Sequence, residues 1–292
     1  MKSRHTLVTG AGGQLGSELR SLSRGKKNFI FADIAAGEDT VALDICDAAA
    51  VENFVSENNV GLIINCAAYT DVNRAESDAE RCHRINVEGP KNLARSAKRH
   101  DAALIQISTD YVFDGLRKRG AYRESDVCRP LSEYGRSKRR CELALRRIGC
   151  RGIIIRTAWL YSSYGNNFVK TMLRLGASRE SVGVVADQWG SPTYARDLAR
   201  AILKIAPQIG LRRCEIYHYT DEGSCSWFDL AAMTMTYAGL GCKVNPLSTS
   251  EYPTPAARPG RSIMSKDKIR DEFGVETPWW NVSLKECLKK LL

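Results

Sequence analysis

No apolar run in this chain approaches the roughly 20 residues of a membrane span, and the N-terminus enters a strand at once where a signal sequence would be expected to open. Both absences predict a soluble, cytoplasmic protein. None of the ten cysteines is spaced as CxxC. Cys66, Cys141 and Cys287 fall on apolar faces of predicted elements, so free buried thiols are expected and a disulfide framework is not. Internal repeats and low-complexity tracts are missing, and a composition of 43% hydrophobic and 26% charged residues excludes disordered and collagen-like classes. The basic clusters Arg117 to Arg119 and Arg136 to Arg140 have no interleaved aromatics and sit in no nucleic-acid module. The formal net charge of +10 is therefore assigned to a solvated surface and a cleft for anionic ligands; no nucleic acid and no membrane are expected as partners.

What is present is an alternation of strands and helices. His5–Thr9 is a short β-branched run that stops at Gly10-Ala11-Gly12-Gly13-Gln14-Leu15-Gly16, after which Leu15, Leu19 and Leu22 recur at helical spacing. Strand, glycine-rich turn and helix form a phosphate cradle, because glycine lets the backbone approach and free N–H groups at the helix start face a pyrophosphate. Phe29–Asp33 is a second strand ending in an acid, which either accepts the ribose hydroxyls of an adenosine or is a turn residue. Asp47 caps a helix with the face Val51, Phe54 and Val55. Strands are predicted over 61–67, 103–108 and 152–156, with helices over 84–99 and 134–148. That pattern predicts a parallel sheet covered on both faces, with ligands at the carboxyl ends of the strands.

In the helix over 134–148, Tyr134 and Lys138 are four apart and project from one face. A phenol titrates near about 10, and a nearby ammonium lowers that value, which makes Tyr134 a candidate general acid or base. The same pair also occurs by chance on any basic helix. The motifs elsewhere in the chain decide between the two.

Thr9-Gly10-Ala11-Gly12-Gly13-Gln14-Leu15-Gly16, Asn65-Cys66-Ala67-Ala68, Ser108-Thr109-Asp110-Tyr111-Val112-Phe113-Asp114-Gly115 and Tyr134-Gly135-Arg136-Ser137-Lys138 together resemble the extended short-chain dehydrogenase/reductase family. Arg156-Thr157-Ala158-Trp159-Leu160-Tyr161, Asn166-Asn167-Phe168, Asp187-Gln188-Trp189-Gly190-Ser191-Pro192-Thr193 and Ala257-Arg258-Pro259 with Ser262 are similar to its dTDP-4-dehydrorhamnose reductase branch. The resemblance implies a Rossmann fold and reduction of the C4 ketone of dTDP-4-dehydro-6-deoxy-L-lyxo-hexulose to dTDP-L-rhamnose with NADH or NADPH. It implies Tyr134 as proton donor, Lys138 on the nicotinamide ribose and Thr109 on the reacting oxygen. Cofactor contacts are implied at Gly10, Gly12, Gly13, Gln14, Leu15, Gly16, Asp33, Asp44, Ile45, Ala67, Ala68, Tyr69 and Asn86, besides Tyr134 and Lys138. Asn86 is either part of a water relay or a helix-packing amide. Tyr111, Trp159, Asn167, Phe168, Gln188 and Arg258 are implied on the dTDP-sugar; Tyr111 and Trp159 are otherwise core aromatics. Asp33 is followed by Ile34-Ala35-Ala36 with no Arg or Lys for a 2′-phosphate, which favours NADH. Some members of the branch dimerise through a magnesium site made by carboxylates near the C-terminus, so Mg²⁺ and a homodimer stay open, with no ligands assigned.

With 292 residues the chain has room for two modest domains. Residues 1–157 and 184–219 are expected to form the dinucleotide domain, and 158–183 and 220–292 a smaller, discontinuous α/β substrate domain. From about Trp159 the chain crosses between the domains, with the stripe Phe168, Met172 and Leu175, a short strand over 182–185, a helix over 196–205 and a Ser226–Asp229 capping pair opening a helix to Tyr237. The tract Pro246 to Pro259 is read as loop. Two other readings stand beside the reductase: a different dTDP-4-keto-6-deoxysugar reductase with the same catalytic residues, and a non-catalytic regulatory subunit of the methionine adenosyltransferase type. Retention of Thr109, Tyr134 and Lys138 together argues against the latter.

Overall fold

The computed structural model describes residues 4–292. Seven strands form one sheet in the order Arg213–His218, Gly152–Thr157, Ala103–Thr109, Val60–Asn65, His5–Thr9, Phe29–Asp33 and Val41–Ala42. Every pairing is parallel. The apolar runs read from the sequence are continuous because both faces of this sheet are covered. Alternation within each run sends neighbours to opposite cores: Leu7, Ile63 and Ile154 to one, Val8, Ile64, Ile153 and Ile155 to the other. Helices Ala48–Glu57, Gly89–Arg99 and Glu133–Ile148 pack on the first face through Val51, Val55, Leu93, Ala97, Cys141 and Leu145. Gln14–Leu22, Ala195–Ile205 and Asp267–Phe273 cover the second through Leu19, Leu198, Ile202, Ile269 and Phe273. Each fully buried Leu or Ile stabilises by roughly 1.5–3 kcal/mol. The sheet is thus the expected doubly wound one.

A smaller lobe pairs Ser181–Val185 in parallel with Lys243–Leu247. Helices Phe168–Gly176 and Trp227–Tyr237 enclose Met172, Val182, Val184, Ala231 and Met235 against it. Ser226 opens the second of these helices with a full capping box to Asp229, as the spacing predicts. The expected boundary between residues 183 and 184 falls inside Ser181–Val185, and Asp267–Phe273 packs on the large sheet.

Three readings need correction. Pro246 and Leu247, read as loop, end the strand Lys243–Leu247; its lone partner is Ser181–Val185, and an edge strand tolerates a proline. The helix read from Arg84 begins at Ala79 and passes through a π-helical turn at Arg84–Glu88. Pro90 has no N–H for the carbonyl four residues back, and the wider turn absorbs that gap. The strand Arg213–His218 was not anticipated. All ten cysteines are free, as expected, and among the described residues no helix is long and apolar enough to cross a membrane.

Candidate active site

The strand order reverses between His5–Thr9 and Val60–Asn65, and their carboxyl ends diverge to open a crevice there. Gly10, at φ 68°, brings the glycine-rich turn against the chain leaving Val60–Asn65: a Cβ on it would lie 2.5 Å from the Ala67 nitrogen. A Cβ on Gly16 would lie 2.2 Å from the Gly10 carbonyl oxygen, so the helix Gln14–Leu22 starts directly under the turn. Gly13 caps that helix without a side-chain bond, which leaves its first N–H groups free for an anion. Gln14 adds a buried amide oxygen with no partner. A cradle that only glycine can form, and an unpaired polar atom beside it, fit a dinucleotide pyrophosphate.

A cavity of about 930 Å³ runs from this turn to Arg258. That is the upper end of the roughly 300–1,000 Å³ of ordinary ligand pockets, so it suits a long ligand or two adjoining ones. Of the residues expected on the cofactor, Gly10, Gly13, Gln14, Leu15, Gly16, Asp33, Asp44, Ile45, Ala67, Ala68, Tyr134 and Lys138 line it. Gly12, Tyr69 and Asn86 lie outside its lining. Gly12 instead donates its N–H to the Asp33 carboxylate at 2.7 Å. Asn86 accepts from the Tyr69 N–H at 2.8 Å, and its amide donates to the Tyr69 carbonyl at 3.1 Å and to Ser137 at 3.0 Å. It pins the loop that follows Ala68 to the helix Glu133–Ile148.

Tyr134, Lys138 and Thr109 meet on the wall of the same cavity. Ser132 caps Glu133–Ile148, and Gly135 lets the start of that helix touch the turn after Thr109: a Cβ there would lie 2.3 Å from the Tyr111 carbonyl oxygen. Burial pushes the Tyr134 phenol above its ordinary value, against a hydrogen bond with Thr109 that lowers it. The lowering expected from Lys138 does not dominate here. The Lys138 ammonium, itself pushed down by burial, donates to the Ile107 carbonyl at 2.6 Å. Tyr111 meets Tyr134 edge to face at 5.6 Å, and burial raises its phenol to about 12 against the pull of Arg258.

Trp159, Asn167, Phe168 and Arg258 line the far end of the cavity. Trp159, at a left-handed φ of 48°, stacks on Trp227 at 3.6 Å. Asn167 caps Phe168–Gly176 through the Lys170 N–H. Gln188 lines a second cavity of about 340 Å³ that shares Phe168, Trp227 and Arg258 with the first. The Arg258 Nε has no partner. Sequence reasoning missed Trp227 and the exposed pair Arg81 and Arg84, which line the large cavity; two arginines three apart at the mouth of a helix were the available signal. Among the described residues no group of three His, Cys, Asp or Glu gathers as a metal site.

A family model described as the RmlD substrate binding domain matches residues 4–292. A dTDP-4-dehydrorhamnose reductase from Aggregatibacter actinomycetemcomitans is 40% identical over 290 residues, covering 96% of each chain. A crystal structure of a dTDP-4-dehydrorhamnose reductase from Clostridium acetobutylicum superposes with a TM-score of 0.91 at 40% identity, covering 98% of this chain and 99% of that one. The Bacillus anthracis dTDP-4-dehydrorhamnose reductase, solved in complex with NADP, gives 0.90 at 37% identity and 99% coverage of both.

Proposed function

Because the chain belongs to the RmlD family, we propose that it is a nicotinamide-dependent reductase of a dTDP-4-keto-6-deoxy sugar, with dTDP-4-dehydrorhamnose as substrate and dTDP-L-rhamnose as product. The observation that carries this reading is the meeting of Tyr134, Thr109 and Lys138 on one cavity wall with the glycine cradle. Residues Gly10 to Gly16, Asp33, Asp44, Ile45, Ala67 and Ala68 would hold the dinucleotide. Bound there, the reduced nicotinamide supplies a hydride to the C4 carbonyl.

The chain's own work is alignment and a proton. Negative charge grows on the C4 oxygen during reduction, and Tyr134 gives that oxygen its proton. A phenol held above its ordinary range keeps its proton at neutral pH, which suits a donor. Lys138 orients the ribose and steadies the phenolate left behind. Arg258, with a free Nε and a place in both cavities, meets the diphosphate with its planar fork. Trp159 and Trp227 form an apolar floor that keeps water from the sugar end. The sugar nucleotide would lie between the sheet and the smaller lobe, in line with the two-domain division. Asp33 favours NADH, since a 2′-phosphate would meet its carboxylate.

The test is direct. Protein, NADH or NADPH and the 4-keto sugar nucleotide are mixed, and the absorbance of the reduced nicotinamide is followed. Loss that depends on the sugar supports the reading; unchanged absorbance with both coenzymes overturns it. Faster turnover of a different dTDP-4-keto-6-deoxy sugar would move the assignment to the neighbouring reductase class.

A further inference from the structure

One buried carboxyl in the site has no part in the mechanism above. Asp110 follows Thr109 at the end of the strand Ala103–Thr109 and is 1% exposed. Its Oδ1 accepts the Thr109 hydroxyl at 3.1 Å and its Oδ2 accepts the Ser262 hydroxyl at 2.5 Å. The Thr109 oxygen in turn accepts the Tyr111 N–H at 3.2 Å.

A hydroxyl has one proton. While Thr109 gives its proton to the Asp110 carboxylate, the threonine offers the cavity only a lone pair, which can accept from Tyr134 but cannot donate to a ketone. A proton on Asp110 reverses the direction. The acid donates to the Thr109 oxygen, and the threonine proton is free to point into the cavity. Two donors on the developing oxyanion, Tyr134 and Thr109, stabilise it better than one. We propose that Asp110 is a positioning residue for the reduction, its proton deciding whether Thr109 accepts from Tyr134 or donates to the reacting oxygen. This rests on the reductase reading of the site.

Burial pushes the Asp110 carboxyl up to about 6, against the bonds from Ser262 and Thr109. Both forms are therefore populated near neutral pH. The titratable or charged groups facing it are Tyr111 beside it, Tyr134 from the helix Glu133–Ile148, and Arg258 beyond Tyr111. Both phenols are raised by burial, so Asp110 is the group among them that titrates between about pH 5 and 8. Ser262 ties the switch to the loop that carries Arg258.

The experiment measures single-turnover coenzyme oxidation from pH 5 to 8.5 with saturating keto sugar nucleotide, for the wild type, Asp110→Asn and Ser262→Ala. An asparagine donates its amide to Thr109 and accepts from Ser262 through its oxygen, which fixes the donor arrangement. The wild-type rate should fall as pH rises through a limb near Asp110's titration. Asp110→Asn should be flat at the wild-type acid-side rate, with KM for the sugar unchanged. Ser262→Ala removes a bond that favours the ionised form, so its limb should move up by about one pH unit. Asp110→Asn following the wild-type profile, or flat at a tenth of the rate or less, overturns the proposal. An unshifted limb in Ser262→Ala overturns it as well, and that arm decides if the asparagine variant fails to fold. Wild-type turnover with no limb refutes Asp110 alone, whereas no turnover at any pH refutes the reductase reading itself.

Discussion

Substituting Glu142 with Gln should destabilise the protein by about 3–5 kcal/mol, the usual loss when one partner of a buried ion pair is removed. Glu142 and Arg156 both have fully buried side chains and share two parallel bonds, Nε to Oε1 and Nη2 to Oε2, at 2.8 Å each. Glu142 also accepts from Ser108 at 2.7 Å and Arg139 at 2.9 Å. Burial alone would raise its carboxyl; the Arg156 bonds outweigh that and hold it below the ordinary range. The glutamine variant leaves the Arg156 guanidinium buried against Phe113 and His218 without a counter-charge. At about 2 °C per kcal/mol for a chain of this size, the melting temperature should fall by about 6–10 °C. Arg156→Met with Glu142→Leu removes both charges and should recover most of that loss, because apolar replacements of a buried pair are often nearly neutral. Thermal melts of the wild type, Glu142→Leu, Arg156→Met and the double close the cycle, with Glu142→Gln measured beside them. The sign with pH also follows: a carboxyl held low in the folded state contributes its stability above its ordinary value and loses it as acid protonates it. The wild type should therefore lose more stability than Glu142→Gln as pH falls below about 4.5. A glutamine variant melting within about 1 °C of the wild type, or a double variant as weak as the sum of the singles, would refute the pair as the anchor beneath the site.

Three further outcomes follow from the site. Tyr134→Phe should lower turnover by roughly 10²-fold or more while leaving coenzyme affinity intact; wild-type turnover removes the phenol from the mechanism. Gly16→Ala places a Cβ 2.2 Å from the Gly10 carbonyl oxygen and 2.6 Å from the Ala11 Cα, so the Kd for reduced coenzyme by titration should rise by about tenfold or more; unchanged affinity would show that the turn gives way. The KM for NADH should be lower than for NADPH at saturating sugar because Asp33, fixed by the Gly12 and Ile34 N–H groups at 2.7 Å, lines the cavity beside the glycine-rich turn, where a 2′-phosphate would meet its carboxylate. A clear NADPH preference refutes the Asp33 reasoning and would turn attention to Arg81 and Arg84.

The sequence made the sheet legible wherever a strand is buried on both faces. Ile153 to Ile155 announce themselves as an unbroken apolar run because both cores need side chains. Arg213–His218 does not, since it pairs only with Gly152–Thr157 and opens by alternating exposed Arg213 and Glu215 with buried Cys214 and Ile216. Tyr134 and Lys138 were readable from spacing within one helix. The Asp110–Ser262 and Glu142–Arg156 bonds were not, because their partners are distant in sequence and no local period brings them together. The π-helical turn was hidden for another reason: Pro90 signals a break, yet the surrounding packing lets the helix continue.

The most direct measurement follows an isotope. Coenzyme deuterated at the transferring position of the nicotinamide is incubated with the protein and the 4-keto sugar nucleotide in ordinary water, and the product is read by mass spectrometry and NMR. One deuterium bound to C4 of the sugar, with none when deuterium is supplied only by solvent, is the predicted result. A product carrying no label at C4, or carrying solvent hydrogen there, would contradict a reduction in which the coenzyme reduces the carbon and Tyr134 protonates the oxygen.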